Sequence, residues 1–491
     1  VTRRDLIKVL PSATAAPGLL LGARRPAGDK PNLLFLWTDQ QRADTMGAYG
    51  NPRYRVPNMN RLASESVVFD RAYVTQPVCT PSRSSVLTGL WPHQNGCVRN
   101  NIALKREAKT LPELLADSAY RTGYFGKWHL GDEIFPQRGF EEWAAIEDGI
   151  YRNYYSPNRD RNARSGYHQF LAGLGYKPDD AKNNDFTRRF ATKLPIEHTK
   201  PSYLANEAAR FILKHRNDPW LLHVNFLEPH TPFSSVLNDL HEPDEAPPPK
   251  NYPGVPASGE PEWYKRRRAD FVKGGIEGES LADEAGWRRV QRNYAGLCSL
   301  VDQAVGRILW ALQASGAMDN TIIVYTSDHG EMMGSHTLAA KQVMYEEACR
   351  VPHLLRAPFR NQRSMRFRPP VSHIDIVPTL LDLMGKKGAA EGLPGQSLIP
   401  ALEGTARRDG DVFLEWTSES EKAGPNARTV ITEDGWKLVL HDTDRSMLFD
   451  HNRDPLEMNN LYGAPAAAAQ TVRLRKKLDA WQRRTGDTFR A

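Results

Sequence analysis

Short apolar runs that stop abruptly at polar or acidic residues dominate the pattern of this chain. Leu33, Leu34, Phe35, Leu36 and Trp37 form the first, followed by Thr38, Asp39, Gln40 and Gln41. A second run, rich in β-branched residues, covers 321–326 and is followed by Ser327, Asp328, His329, Gly330 and Glu331. A third, 220–226, leads to Glu228, Pro229 and His230. Runs that are apolar throughout, without alternation, predict strands buried on both faces, as in parallel sheets. Sites in open α/β sheets form beyond the carboxyl ends of strands. Two such ends from distant parts of the chain can therefore meet at one place.

Helical periodicity marks other segments. Residues 293–315 carry Leu297, Val301, Ala304, Ile308 and Leu312 on one stripe, and Gly316 stops it. Ser202 is placed to cap a helix running to His215, and 375–384 is a helix closed by Gly385. The segments 141–200 and 231–286 are polar, or rich in proline and charge. They read as long loops that wall a pocket and set substrate choice. After about residue 404 the pattern changes to strand-like runs at 411–416, 428–431 and 436–440 with turns between them. A terminal helix over 465–483 follows, with Pro465 in its first turn. The expected fold is α/β. A large mixed, mostly parallel sheet flanked by helices occupies 31–404, and a smaller antiparallel sheet with a helix occupies 405–491. No internal repeat is evident.

Length and charge add limits. The 491 residues exceed one average domain and can bury a large core without disulfides. The net charge of +7 suits anionic substrates. The basic runs at 266–268 and 473–477 read as solvated helix faces, and no nucleic-acid motif accompanies them. Four cysteines, Cys79, Cys97, Cys298 and Cys349, require no disulfide, and Cys298 falls in a helical core pattern. Residues 1–30 open with Arg3-Arg4 ahead of apolar residues, a stretch similar to a Tat export signal and too short and too rich in proline and glycine to span a membrane. It predicts a periplasmic or secreted protein.

The candidate chemistry sits at the ends of the apolar runs. Asp39, Gln40, Asp328 and His329 form an oxygen-rich set suited to Ca²⁺ or Mg²⁺, with the imidazole leaving Mn²⁺ open. Taken singly, Asp39 also reads as a helix N-cap and His329 as a turn residue. Cys79 lies in Cys79-Thr80-Pro81-Ser82-Arg83, bracketed by Pro77 and Pro81. Proline is tolerated in a first helical turn, so Cys79 reads as the mouth of a helix with Arg83 one turn on. The free N–H groups of a helix start favour an anion there. Further on come Gly126-Lys127-Trp128-His129-Leu130-Gly131, then Glu228-Pro229-His230, Lys341, and the segment 450–457. On a strand, Lys127 and His129 would share a face.

These motifs, in this order, resemble the type I sulfatases of the alkaline-phosphatase superfamily over nearly the whole chain from about Asn32. The resemblance implies that Cys79 is oxidised to formylglycine by a formylglycine-generating enzyme. Its hydrate would attack sulfur in line and give a covalent sulfoenzyme. It also implies an oxygen from modified Cys79 on the metal, Arg83 and Lys127 on the sulfate, and His230 or Lys341 on the leaving oxygen. His129 would take the proton that releases sulfate. The implied substrate is a sulfate monoester, with sulfated carbohydrate preferred, and the implied metal is Ca²⁺. Two departures stand out: many members have Asp-Asp where this chain has Asp39-Gln40, and Asp-Asn where it has Asp328-His329. Both variants also occur in phosphonate monoester and phosphodiester hydrolases, which form the alternative reading. A silent sulfated-glycan-binding protein would lack a catalytic residue, and none of the motif residues is missing.

Overall fold

The computed structural model describes residues 30–148, 156, 158–254, 256, 259–360, 364–406, 410–420 and 424–491. The twin-arginine stretch lies outside the described residues.

The strand Asn32–Thr38 runs through the middle of the molecule. Its side chains alternate between two cores. Leu34 and Leu36 enter one, and Leu33, Phe35 and Trp37 enter the other. A strand clothed on both faces has no polar side to present, which is why its sequence is apolar throughout. One core is completed by the helices Lys200–Lys214 and Glu284–Ala314, through Leu204, Phe211, Leu297, Val301 and Ile308. The other is completed by Cys79–Thr88 and Ile376–Leu383, through Val86, Leu87, Val377 and Leu381. The result is three layers, helices on both sides of a sheet.

That sheet has eight strands. In spatial order they are Met365–Phe367, Val67–Phe69, His353–Arg356, Thr321–Ser327, Asn32–Thr38, Trp220–Asn225, Arg121–Gly126 and Glu142–Ala144. Only the two pairings of His353–Arg356 are antiparallel, so the sheet is mixed and mostly parallel. Register then places the chemistry. Thr38 pairs with Ser327, so Asp39 and Asp328 leave the carboxyl edge side by side. Trp37 and Gly126 both pair with Asn225, so Lys127 leaves at nearly the same level.

A second, four-stranded antiparallel sheet comprises Val412–Trp416, Ala427–Ile431, Trp436–His441 and Met447–Asp450, in that order. The helix Ala468–Thr485 covers it through Leu474, Leu478 and Trp481. The other face packs on Tyr73, Val74, Met344 and Tyr345 of the large unit. Lys437, buried in that interface, lies 2.7 Å from Glu457 and 3.3 Å from Glu346.

Several sequence expectations change. The long helix begins at Glu284, nine positions before the expected 293, because Asp283 caps it by accepting from Gly286 N. Ser202 is not a cap. It sits inside the first turn of Lys200–Lys214, and its hydroxyl donates to the Ile196 carbonyl. The two expected loops contain helices, among them Gly166–Gly173 and Glu262–Gly274. The run 266–268 is not a uniformly solvated face, since only Arg266 is exposed. Arg267 donates to the Lys341 carbonyl at 2.8 Å and Arg268 to the His336 carbonyl at 2.9 Å, clamping the loop between them. The strand Met447–Asp450 was not expected, since it is only four residues long and borders a polar segment. All four cysteines are buried and unpaired, with Cys298 in the core.

Candidate active site

Cys79 opens the helix Cys79–Thr88, with Val78 extended ahead of it. The helix is buried on every side, which fixes both Cys79 and Arg83. The Cys79 thiol lies 3.3 Å from His329 Nε2 and 3.9 Å from Asp39 Oδ1. Asp39, Cys79, Asp328 and His329 each turn one ligand atom toward a common point, within 4.8 Å of one another. The two aspartates and His329 are wholly buried.

The orientation of each group has a cause. His329 Nδ1 lies 2.9 Å from the Gly330 carbonyl, which can only accept. Nδ1 therefore carries the hydrogen and Nε2 is a lone pair, facing Asp39 Oδ1 at 3.5 Å and Asp328 Oδ1 at 3.6 Å. Gly330 is needed for this loop, since a Cβ there would lie 1.9 Å from the Glu347 carbonyl oxygen. The other oxygen of each aspartate is committed to the protein. Arg83 donates Nε to Asp328 Oδ2 at 2.8 Å and Nη2 to Asp39 Oδ2 at 3.1 Å, and Lys127 also binds Asp39 Oδ2. Two carboxylate oxygens and an imidazole lone pair thus converge on one point. That donor set fits a divalent cation.

Gln40 departs from the other ligand candidates. Its φ is 68°, its backbone N donates to Asp328 Oδ1 at 3.1 Å, and its carbonyl accepts from Tyr294. Its side-chain Nε2 donates to Glu331 and its Oε1 accepts from Lys341. Glu331 also accepts Met333 N and Ala340 N, so the amide cannot turn over without losing Glu331 as a partner.

Lys127 and His129 are not on a strand as the spacing suggested. The strand ends at Gly126, and His129 has a φ of 61°. The Glu133 carboxylate receives Trp128 N at 2.7 Å and His129 N at 2.6 Å, which folds the segment back on itself. His129 Nε2 is 2.9 Å from Asn101 Oδ1, and its carbonyl accepts from Thr80 Oγ1, tying it to the Cys79 helix. Lys341 is half-buried rather than solvated. His230 is half-buried, with Nδ1 toward Thr231 and Arg188.

Electrostatics reflect this packing. Burial opposes ionisation of Asp39, but the positive charges of Lys127 and Arg83 hold its carboxyl well below the usual range. Burial and Asp39 push the Cys79 thiol up, and Lys127, Lys341 and His329 outweigh them to bring it below its ordinary value. Burial opposes charge on His329, but Asp328 and Cys79 raise its basicity, so its Nε2 attracts a proton or a metal ion. Burial, with Lys127 and Arg83, keeps His129 neutral. Burial, with Lys341, does the same for His230. The cations thus converge where an anionic group would sit. Glu331, Asn101, Glu133 and Arg188 were not among the sequence candidates. Only Glu331, within the 327–331 motif, carried any signal.

A family model described as Sulfatase matches residues 31–386. The chain belongs to the sulfatase family. A second model, described as N-sulphoglucosamine sulphohydrolase, C-terminal, matches 334–484. This sulfatase is 27% identical to the N-acetylglucosamine-6-O-sulfatase of Bacteroides thetaiotaomicron, over 98% of its own length and 91% of the relative's. It is 28% identical to the ulvan-active sulfatase of Formosa agariphila, over 94% and 83%. A solved structure of a protein in complex with its substrate D-glucosamine-2-N,6-O-disulfate superposes with a TM-score of 0.75 at 25% identity, covering 94% of this chain and 99% of that one. The phosphonate monoester hydrolase of Silicibacter pomeroyi shares the fold, with a TM-score of 0.78 at 24% identity over 93% and 96%. The chain is an enzyme, a sulfuric ester hydrolase with an alkaline-phosphatase-like fold.

Proposed function

We propose that this sulfatase removes sulfate from sulfated carbohydrates, with formylglycine at position 79 and Ca²⁺ in the site. The observation that carries the reading is the convergence of Asp39, Asp328 and His329 on the Cys79 thiol, with Arg83, Lys127 and Lys341 around them. The names of the relatives support the carbohydrate class. Asp39, Asp328 and His329, with an oxygen at position 79, would hold the cation, which supplies a fixed positive charge to polarise a sulfate ester, whereas the Gln40 amide is held by Lys341 and Glu331. Formylglycine would supply a hydrate hydroxyl as the nucleophile in place of a thiol. Arg83 orients both aspartates and, with Lys127, keeps Asp39 ionised. Lys127, wholly buried, and Lys341, half-buried, offer ammonium charge to the sulfate oxygens. His129, neutral, can accept a proton, and His230 faces the leaving oxygen.

A second reading is hydrolysis of phosphonate monoesters or phosphodiesters at the same site. It is favoured by Gln40, an amide where a carboxylate would add negative charge. The twin-arginine stretch supports Tat export to the periplasm or beyond, and a formylglycine-generating enzyme would act before export.

The test is mass spectrometry of the tryptic peptide containing residue 79, from a host with that enzyme, with sulfate release from 6-sulfated glucosamine measured beside an aryl sulfate and a phosphodiester. Formylglycine with preferred sugar turnover is the expected result. Intact cysteine in an active preparation would overturn the nucleophile assignment, and faster phosphodiester cleavage would favour the second reading.

A further inference from the structure

We infer that Arg188 is a positioning residue that fixes the tautomer of His230, so that Nε2–H is the ring proton presented to the substrate. The catalytic consequence rests on the hydrolase reading above, whereas the tautomer itself does not.

Arg188 begins the short helix Arg188–Ala191, capped by Thr187. Arg188 Nε and Nη2 form a fork on the Glu147 carboxylate at 2.7 and 2.6 Å. Glu147 is held in turn by Lys200 at 2.7 Å, from the first turn of Lys200–Lys214. The three side chains are nearly buried, so the guanidinium plane is set by a charged triad on one edge. The remaining edge places Nη1 3.3 Å from His230 Nδ1.

A guanidinium has donors only, so the nitrogen that meets it must be a lone pair. Thr231 Oγ1, 3.1 Å from the same Nδ1, can donate to it as well. The competing arrangement has Nδ1–H donating to the Thr231 carbonyl at 2.9 Å. It would set one N–H against another on a cation that cannot lose its proton. The two arrangements exclude each other. At His329 the Gly330 carbonyl sets the tautomer, but at His230 two donors, Arg188 Nη1 and Thr231 Oγ1, meet Nδ1 against one carbonyl, and the anchored cation selects the first arrangement. Burial, then Lys341, keeps the ring neutral, so it carries a single proton. That proton goes to Nε2, the nitrogen turned away from Arg188. There the ring donates a hydrogen bond to the charge that develops on the leaving oxygen as the S–O bond breaks, and the departing oxygen takes its final proton from solvent water. Such a donor matters more as the leaving oxygen becomes more basic.

The experiment uses full-length protein labelled with ¹⁵N-histidine, with imidazole tautomers read by long-range proton–nitrogen NMR and His230 assigned by its loss in His230→Gln. The wild-type protein is expected to show Nε2–H with a bare Nδ1, and Nδ1–H would overturn the inference. Arg188→Ala is expected to move the population toward Nδ1–H, and Arg188→Lys, which keeps a donor, to retain Nε2–H. An unchanged tautomer in Arg188→Ala would overturn the role of Arg188. If that variant does not fold, the wild-type and Arg188→Lys spectra still decide. In turnover, Arg188→Ala should lose at least about 10-fold more kcat on an alkyl sulfate than on 4-nitrophenyl sulfate. Equal losses on both would indicate a merely structural role. The NMR readout needs no turnover, so failure of the hydrolase reading would leave it standing.

Discussion

Arg83 Nε donates to Asp328 Oδ2 at 2.8 Å, and the guanidinium that makes this bond also reaches Asp39. All three side chains are wholly buried. One planar fork therefore spans carboxylates at the ends of two strands that pair 289 positions apart in the chain. Removing one member of such a set leaves buried charge uncompensated, at a cost of about 3–5 kcal/mol. Arg83→Ala should destabilise the protein by that order in chemical denaturation. Arg83→Lys keeps the charge but cannot bridge both oxygens. It should fold, with kcat for sulfate release lowered about 100-fold or more.

Glu457 and Lys437 join the smaller sheet to the loop that bears Lys341. Lys437 lies between Glu457 and Glu346, and Glu457 also accepts Glu346 N at 2.8 Å and contacts His451 at 2.9 Å. Glu457→Ala should cost about 3–5 kcal/mol, since the Lys437 ammonium would lose a buried partner. Because Glu346 lies five residues after Lys341, activity should fall before the protein unfolds. Parallel activity and fluorescence melts measure this, and coincident transitions would contradict it.

The sheet and the ends of its strands were legible because both obey simple rules. A strand buried on two faces must be apolar throughout, as 33–37 and 321–326 are. Sites form just beyond the carboxyl ends of such strands, which brought Asp39 and Asp328 into view. The groups that orient the site were not legible. Glu133, Asn101 and Arg188 act from irregular or short segments through backbone N–H and single side-chain bonds, and such contacts leave no periodic trace. His129 shows the limit of spacing arguments. Two residues from Lys127 suggests a shared strand face, but the strand ends at Gly126 and a positive φ redirects the chain. Arg267 and Arg268 read as solvent-facing because charge on a helix usually is, and carbonyl groups of a distant loop cannot be seen from the helix sequence.

The buried Glu133 carboxyl titrates at about 7, raised chiefly by burial, with Trp128 N and His129 N opposing the rise. Its ordinary value is 4.5. Between pH 4.5 and 7 the native state therefore holds a proton that the unfolded chain has released. Stability from this group is greatest below the unfolded value, declines as pH rises to about 7, and is flat above. Glu133→Gln should remove that slope. The difference in unfolding free energy between wild type and variant, measured from pH 4.5 to 8 in roughly half-unit steps, should decline with pH and then level off. A flat difference throughout would place the titration elsewhere.

Chelation should affect stability as well as turnover. Asp39 Oδ1, Asp328 Oδ1 and the His329 Nε2 lone pair face one another, and a cation among them would relieve their mutual repulsion in the folded state alone. A ligand bound only to the native state stabilises by about 4 kcal/mol at 1,000 times its Kd. Treatment with a strong chelator should therefore abolish sulfate release and lower the Tm, and added Ca²⁺ should restore both. Asp328→Asn replaces one carboxyl ligand by an amide and weakens the bond from Arg83. It should bind less metal by elemental analysis and show a smaller Tm shift on chelation than the wild type. Because Arg83 retains Asp39, this variant should still fold, so its metal content can be read independently of its activity. A wild-type protein that keeps its full activity and Tm after exhaustive chelation, with no metal detected, would refute the assignment of these residues as a metal site.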